Sequence, residues 1–219
     1  TMFFSDIAGF TAISEKLPPE ELVKFLGEYL NIMNANLLQH QATVDKYIGD
    51  GVMAFWGAPR PLETHALNAC RAALDCQAAI TALNKKWKGE GLDLDFHTRI
   101  GINTGNVIVG NMGSDERMSY TIIGDNVNLT SRLESVNKHY GTRILITDST
   151  YQQVKHETLT RRIDKVVMAG KSIAINIYEL VGSIGKISPE IQDMLHCYNE
   201  AFSQYQQRQF AEAAESFEA

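Results

Sequence analysis

Phe3-Phe4-Ser5-Asp6-Ile7-Ala8-Gly9-Phe10-Thr11 has an echo downstream, Val44-Asp45-Lys46-Tyr47-Ile48-Gly49-Asp50-Gly51. In each stretch a short apolar run ends on an aspartate, Asp6 or Asp50. Taken singly, each aspartate reads as a cap or turn residue, because the Asp side chain hydrogen-bonds its own backbone in turns. As a pair, two carboxylates delivered by strand ends can hold divalent cations side by side. Transfer of a phosphoryl or nucleotidyl group uses that arrangement.

The surrounding chain alternates strand and helix signals. Residues 2–7 are short, apolar and aromatic, which predicts a buried strand. Pro18 and Pro19 stand where a helix begins, with Glu20 and Glu21 in its first turn. Leu22, Phe25, Leu26, Tyr29, Leu30, Met33 and Leu37 then recur at helical spacing. Residues 43–48 and 52–56 flank Gly49-Asp50-Gly51, which is turn chemistry, so Asp50 lies at or beside a hairpin tip. Ala58-Pro59-Arg60-Pro61 breaks the chain. An Ala-rich helix over 63–87 follows and ends at Gly89-Glu90-Gly91.

Further strands are expected at 96–102, 107–109 and 120–123, with a polar loop at 113–117. A helix at 127–138, a strand at 143–147, a short helix at 149–154 and strands at 161–168 and 173–180 complete the pattern. This order predicts an α+β sandwich, with helices on one face of a mainly antiparallel sheet. Residues 1–181 form that domain and 182–187 a linker. Residues 188–219 form a helical extension. Its Tyr198, Ala201, Phe202, Tyr205, Phe210, Ala213, Ala214 and Phe217 have the spacing of a tetratricopeptide-like helix pair, although one copy does not establish a repeat.

The 219 residues carry a net charge of −6 and are 44% hydrophobic. That is ordinary composition for a globular domain. The charge argues against a nucleic-acid polymer as partner, since phosphate backbones select basic surfaces. No apolar run approaches the ~18 residues of a membrane span, and no signal peptide is visible. Cys70, Cys76 and Cys197 form no Cys-x-x-Cys motif, which leaves free thiols in a reducing cytoplasm as the expectation. The chain opens directly on a strand. We read it as a segment of a longer protein whose upstream regulatory or sensor part is missing, a reading that leaves room for a membrane anchor in the full length.

A third stretch joins the two aspartates: Tyr120-Thr121-Ile122-Ile123-Gly124-Asp125-Asn126-Val127-Asn128-Leu129-Thr130-Ser131-Arg132. Together the three stretches resemble the catalytic domain of the class III nucleotidyl cyclases, the adenylyl and guanylyl cyclases. The resemblance covers residues 1–181 and implies a ferredoxin-like core. It implies conversion of ATP to 3′,5′-cyclic AMP and pyrophosphate, with two divalent metal ions, Mg²⁺ or Mn²⁺. Asp6, Asp50 and the backbone carbonyl of Ile7 match the family's metal ligands. The resemblance also implies a head-to-tail homodimer with shared sites, in a cytoplasmic catalytic domain. A P-loop is absent, since the Gly105 to Gly110 spacing is followed by Asn111 rather than Lys.

The remaining site residues carry two readings each. Lys46 alone is a solvated strand lysine, and Thr121 alone is a residue of high strand propensity. By resemblance they select the purine. An ammonium only donates, which suits the adenine N1 acceptor, and a threonine hydroxyl can accept from N6–H₂. That hydroxyl can also donate, so it excludes guanine less firmly than a carboxylate would. Asn128 and Arg132, four apart on one helix face, read as a surface pair. By resemblance the asparagine orients the ribose and the arginine stabilises charge on the transferring phosphorus. Asn128-Leu129-Thr130 is also a formal glycosylation sequon, set aside because the site reading requires a cytoplasmic helix.

One departure stands out. Where the family usually has Val-Lys-Gly-Lys, this chain has Val167-Met168-Ala169-Gly170-Lys171. Ala169 falls at the phosphate-binding lysine, leaving Lys171 or Lys165 as the candidate phosphate contact. Loss of such a contact costs roughly 1.5–3 kcal/mol, so weak triphosphate affinity or low turnover is expected. A guanylate cyclase and a catalytically weak nucleotide-binding regulatory domain are the alternative readings.

Overall fold

The computed structural model describes residues 1–92, 94–167 and 174–218. Its elements run β1 (Met2–Ile7), α1 (Phe10–Ser14), α2 (Pro19–Gln39), β2 (Thr43–Ile48), β3 (Gly51–Phe55), α3 (His65–Gly89) and β4 (Thr98–Asn103). They continue with β5 (Ile108–Ser114), β6 (Arg117–Ile123), α4 (Asp125–Tyr140), β7 (Ile144–Thr147), α5 (Asp148–Val154), β8 (Thr158–Val166), β9 (Ile175–Ser183), α6 (Pro189–Gln206) and α7 (Phe210–Glu218). One sheet has the order β2-β3-β1-β4-β7-β9-β8, while β5 and β6 form a separate ribbon. β4 and β7 pair in parallel; the other neighbours in the large sheet are antiparallel. The expected α+β architecture with a mainly antiparallel sheet is present.

Alternation along the strands sorts side chains onto two faces. Phe3, Ile7, Ala54, Ile100, Ile102, Ile144 and Ile146 enter one core with α2 and α3. There α2 buries Phe25, Tyr29, Met33 and Leu37, one per turn. Ala66, Ala69, Ala72 and Ala73 of α3 are buried, and their small side chains let it lie close. Trp87 meets Phe25 and Phe96 edge-on, with centroids 5.4 and 5.0 Å apart. Burial of such rings dominates core energetics.

The opposite face carries α4, which corrects the expectation of helices on one face only. Leu129 and Leu133 of α4 pack with Leu145 and Ile177. Gly101 makes this possible: a Cβ there would stand 2.5 Å from the Glu134 amide nitrogen and 2.7 Å from the Thr130 carbonyl oxygen. A glycine within an apolar strand marks such a close approach.

The expected polar loop at 113–117 is instead the tip of a longer ribbon, paired from Ile108↔Ile123 to Ser114↔Arg117. A two-stranded ribbon here is wet on both faces, so its outer half shows no apolar alternation to read. At the other end, β9 runs to Ser183, and α6 packs on β8. The Tyr198 hydroxyl donates to the Arg162 carbonyl at 2.9 Å, and the Arg161 guanidinium lies 5.0 Å from the Tyr198 ring centroid. Among the described residues, no helix is long and apolar enough to cross a membrane.

Candidate active site

β1 and the β2–β3 turn bring the two aspartates together. Gly51 follows Asp50 at the start of β3, where a Cβ would stand 2.5 Å from the Ser5 carbonyl oxygen. Only glycine lets the turn lie this close to β1. Asp50 thereby reaches across, and its Oδ2 accepts a hydrogen bond from the Ile7 amide at 2.9 Å. Burial pushes the Asp50 carboxyl up to about 6, against the pull of the Ile7 N–H, and the neighbouring Asp6 charge adds to the rise. A half-buried acid that resists ionising beside a second carboxylate marks a site short of positive charge.

Arg99 meets part of that need. It projects from β4, opposite Asp6 in the β1 register. Its guanidinium donates to Asp6 Oδ2 at 2.6 Å, and its Nε lies 3.0 Å from Glu134 Oε1 of α4. Burial raises Glu134 to about 6 despite the Arg99 charge beside it. Nothing in the sequence singled out Arg99 or Glu134. Their meeting depends on the β1–β4 register and on α4 crossing at Gly101.

The donor set suits a hard divalent cation, because Asp6 and Asp50 offer carboxylate oxygens. Among the described residues, no three His, Cys, Asp or Glu side chains gather as a metal cluster. Coordination here would be completed by backbone, water or substrate oxygens, as Mg²⁺ sites commonly are. Ile7, at the end of β1, is the adjacent backbone.

A second polar cluster joins β2 to β6. The pairing of β2 with β3 skips from Val44 to Lys46, so Asp45 is the extra residue of a β-bulge. Its side chain is fully buried, and the Lys46 ammonium lies 3.2 Å from its Oδ1. The Thr121 hydroxyl donates to Asp45 Oδ2, and Lys46 donates to Thr121 Oγ1 at 3.2 Å. The two expected base-selecting residues are thus in contact within one chain. Asp45, which the sequence reading passed over, sits beneath both. Its place beside Lys46 was visible; the bulge that turns it inward was not.

Asn128 and Arg132 both lie on the exposed side of α4, while Leu129, Thr130, Leu133 and Glu134 face inward. They project from the helix that Gly101 seats over β4. Lys165 is exposed near the end of β8. Ala169 and Lys171 lie outside the described residues.

A family model described as the adenylate and guanylate cyclase catalytic domain matches residues 1–182. The chain belongs to this family. It is similar to Adenylate cyclase 1 of Rhizobium meliloti (strain 1021), at 40% identity over 86% of this chain and 28% of that protein. This cyclase domain spans less than half the length of the curated relatives it matches. Among solved structures it resembles the adenylyl cyclase CyaB from P. aeruginosa, with TM-score 0.78 and 38% identity, covering 85% of this chain and 95% of that one. It also resembles the guanylyl cyclase Cya2, with TM-score 0.75 and 34% identity, covering 85% and 93%.

Proposed function

We propose that this domain is an adenylate cyclase, which closes ATP to 3′,5′-cyclic AMP and releases pyrophosphate. The observation that carries the reading is the Asp6–Asp50 pair, tied by the Ile7 amide at the junction of β1 and the β2–β3 turn. Asp6, Asp50 and the Ile7 carbonyl would hold two divalent ions, Mg²⁺ or Mn²⁺. Bound there, such ions supply a lowered 3′-hydroxyl pKa and charge screening on the phosphates. Lys46 donates to adenine N1, and Thr121 accepts from N6–H₂. Asn128 orients the ribose. Arg132 holds negative charge at the α-phosphorus, for which its permanently charged fork is suited.

Two copies of the chain would share each site, Asp6 and Asp50 from one and Lys46, Thr121, Asn128 and Arg132 from the other. Exposed apolar side chains support such an assembly. Ile108 (66%), Met118 (58%) and Ile123 (50%) project from the ribbon, and Ile48 (54%) from β2. A closed symmetric dimer is the common way to cover a surface of this kind. The buried free thiols of Cys70 and Cys76 are consistent with a reducing, cytoplasmic setting.

A cyclase assay with Mn²⁺ or Mg²⁺ and ATP or GTP, on wild type and Asp50→Ala across a dilution series, tests this reading. Cyclic AMP from wild type is expected, with much less product from GTP. Asp50→Ala should lose at least about a hundredfold, more than the 10–100-fold that loss of an outer-shell metal partner costs. Specific activity should fall on dilution. Preference for GTP would favour a guanylate cyclase. Nucleotide binding without product, in a dimeric protein, would instead favour a regulatory domain and give weight to Ala169.

A further inference from the structure

We infer that Asp45 sets the purine preference by fixing the direction of the Thr121 hydrogen bond, acting as a positioning residue beneath the base. The inference rests on the adenine-binding roles proposed for Lys46 and Thr121. A threonine hydroxyl has one proton and two lone pairs, so by itself it serves a donor or an acceptor. In this chain the proton is committed, because Thr121 donates it to Asp45 Oδ2. One lone pair takes the N–H of Lys46 at 3.2 Å. What Thr121 has left is one lone pair, an acceptor.

The same count applies to Lys46. One of its three N–H groups goes to Thr121, and its charge pairs with Asp45 Oδ1 at 3.2 Å without a hydrogen bond. The ammonium keeps donor capacity for the base and has no lone pair to accept with. The cluster therefore offers a donor and an acceptor side by side. Adenine presents the complement, an N1 acceptor beside an N6 donor. Guanine presents the reverse, an N1–H donor beside an O6 acceptor, and is mismatched at both positions. Asp45 holds this polarity because a carboxylate has no proton to donate, and its side chain is closed off from solvent, so water does not compete.

An amide at this position would reverse the polarity. In Asp45→Asn, the Lys46 ammonium draws the amide oxygen towards itself, which turns the amide NH₂ towards Thr121. Thr121 then accepts from the amide, and its own proton is released towards the base. Asp45→Ala releases the same proton by removing its acceptor. Both changes should weaken discrimination between purines, whereas a purely structural Asp45 would weaken both nucleotides alike.

The test measures dissociation constants for 3′-deoxy-ATP and 3′-deoxy-GTP, which lack the attacking hydroxyl and do not turn over. Calorimetry with Mn²⁺ present, on wild type, Asp45→Asn, Asp45→Ala, Thr121→Val and Asp45→Asn/Thr121→Val, supplies the values. Asp45→Asn and Asp45→Ala should each shift the affinity ratio towards guanine by about tenfold or more, the size expected for one reversed, desolvated hydrogen bond. In the Thr121→Val background, Asp45→Asn should shift it no further. An unchanged ratio, an equal loss for both nucleotides, or a shift that persists without the Thr121 hydroxyl overturns the inference. Failure of both Asp45 variants to fold would make the carboxylate a fold element and overturn it too. The ratio is independent of turnover, so absence of cyclic product from wild type would defeat the proposed activity without deciding the role of Asp45.

Discussion

The two polar clusters of the site differ in how their charges are balanced. At the end of β1, Arg99 bridges Asp6 and Glu134 while Asp50 lies beside Asp6, and burial pushes two of these three acids up to about 6. Between β2 and β6, one carboxylate meets one ammonium and one hydroxyl, and each of the three contacts the other two. The first cluster has an electrostatic deficit that added cations would relieve. In the second, the Lys46 charge and the Thr121 proton are already engaged before any ligand arrives, while Asp45 Oδ1 is held by the ion pair alone. Preorganised polar groups discriminate because they do not rearrange around a wrong partner. On this reading, the acidic cluster governs whether chemistry occurs, and the balanced cluster governs on which base.

Breaking the balanced cluster should change selectivity and leave the acidic cluster alone. Lys46→Glu removes the proposed donor to the base and sets a second carboxylate against buried Asp45. We expect preference for ATP over GTP to fall by about tenfold or more, the worth of a lost charge-assisted hydrogen bond. Mn²⁺ affinity, measured by calorimetry without nucleotide, should stay within about twofold of wild type if the two clusters are independent. A large loss of Mn²⁺ affinity in this variant would show them to be coupled and would break the comparison.

Gly101→Ala tests whether the acidic cluster depends on how closely α4 sits. The new Cβ would lie 2.5 Å from a backbone nitrogen of α4, and backbone cannot turn aside as a flexible side chain can. Overpacking of this kind costs about 1–3 kcal/mol. In a chain of this size that corresponds to a fall in Tm of roughly 2–4 °C per kcal/mol. Because Glu134, Asn128 and Arg132 ride on α4, turnover should fall by more than the lost stability explains. A stable variant with full turnover would show that the helix position is not critical.

How much of this was legible in the sequence follows from the range of the interactions involved. Strand and helix identities were readable because Phe25, Tyr29, Met33 and Leu37 recur at helical spacing. Gly49-Asp50-Gly51 announces a turn through local backbone chemistry alone. The placement of α4 on the second face was hidden, since it depends on which strand presents Gly101 to which helix. Arg99 was hidden for a related reason: it becomes interesting only once the β1–β4 register sets it opposite Asp6. Asp45 stood in plain view inside the deciding stretch. Strict alternation, however, gives no sign of the bulge that turns it inward.

The smallest expected effect concerns Glu134, and its sign separates a crowded acidic cluster from a well-paired one. Were Arg99 fully compensating, Glu134 would sit below its ordinary pKa of 4.5. Burial instead raises it to about 6. Between those values the folded chain holds a proton that the unfolded chain releases. The stabilising contribution of Glu134 is therefore fully present below pH 4.5 and is lost as pH rises through about 6. Glu134→Gln keeps the shape and removes the charge. It should match wild type in unfolding free energy at pH 4 and exceed it at pH 7.5, by an amount bounded at about 2 kcal/mol for a rise of this size. Loss of stability at pH 7.5 would mean that the Arg99 pair outweighs burial. The acidic cluster would then be balanced without metal, and the contrast between the two halves of the site would fail.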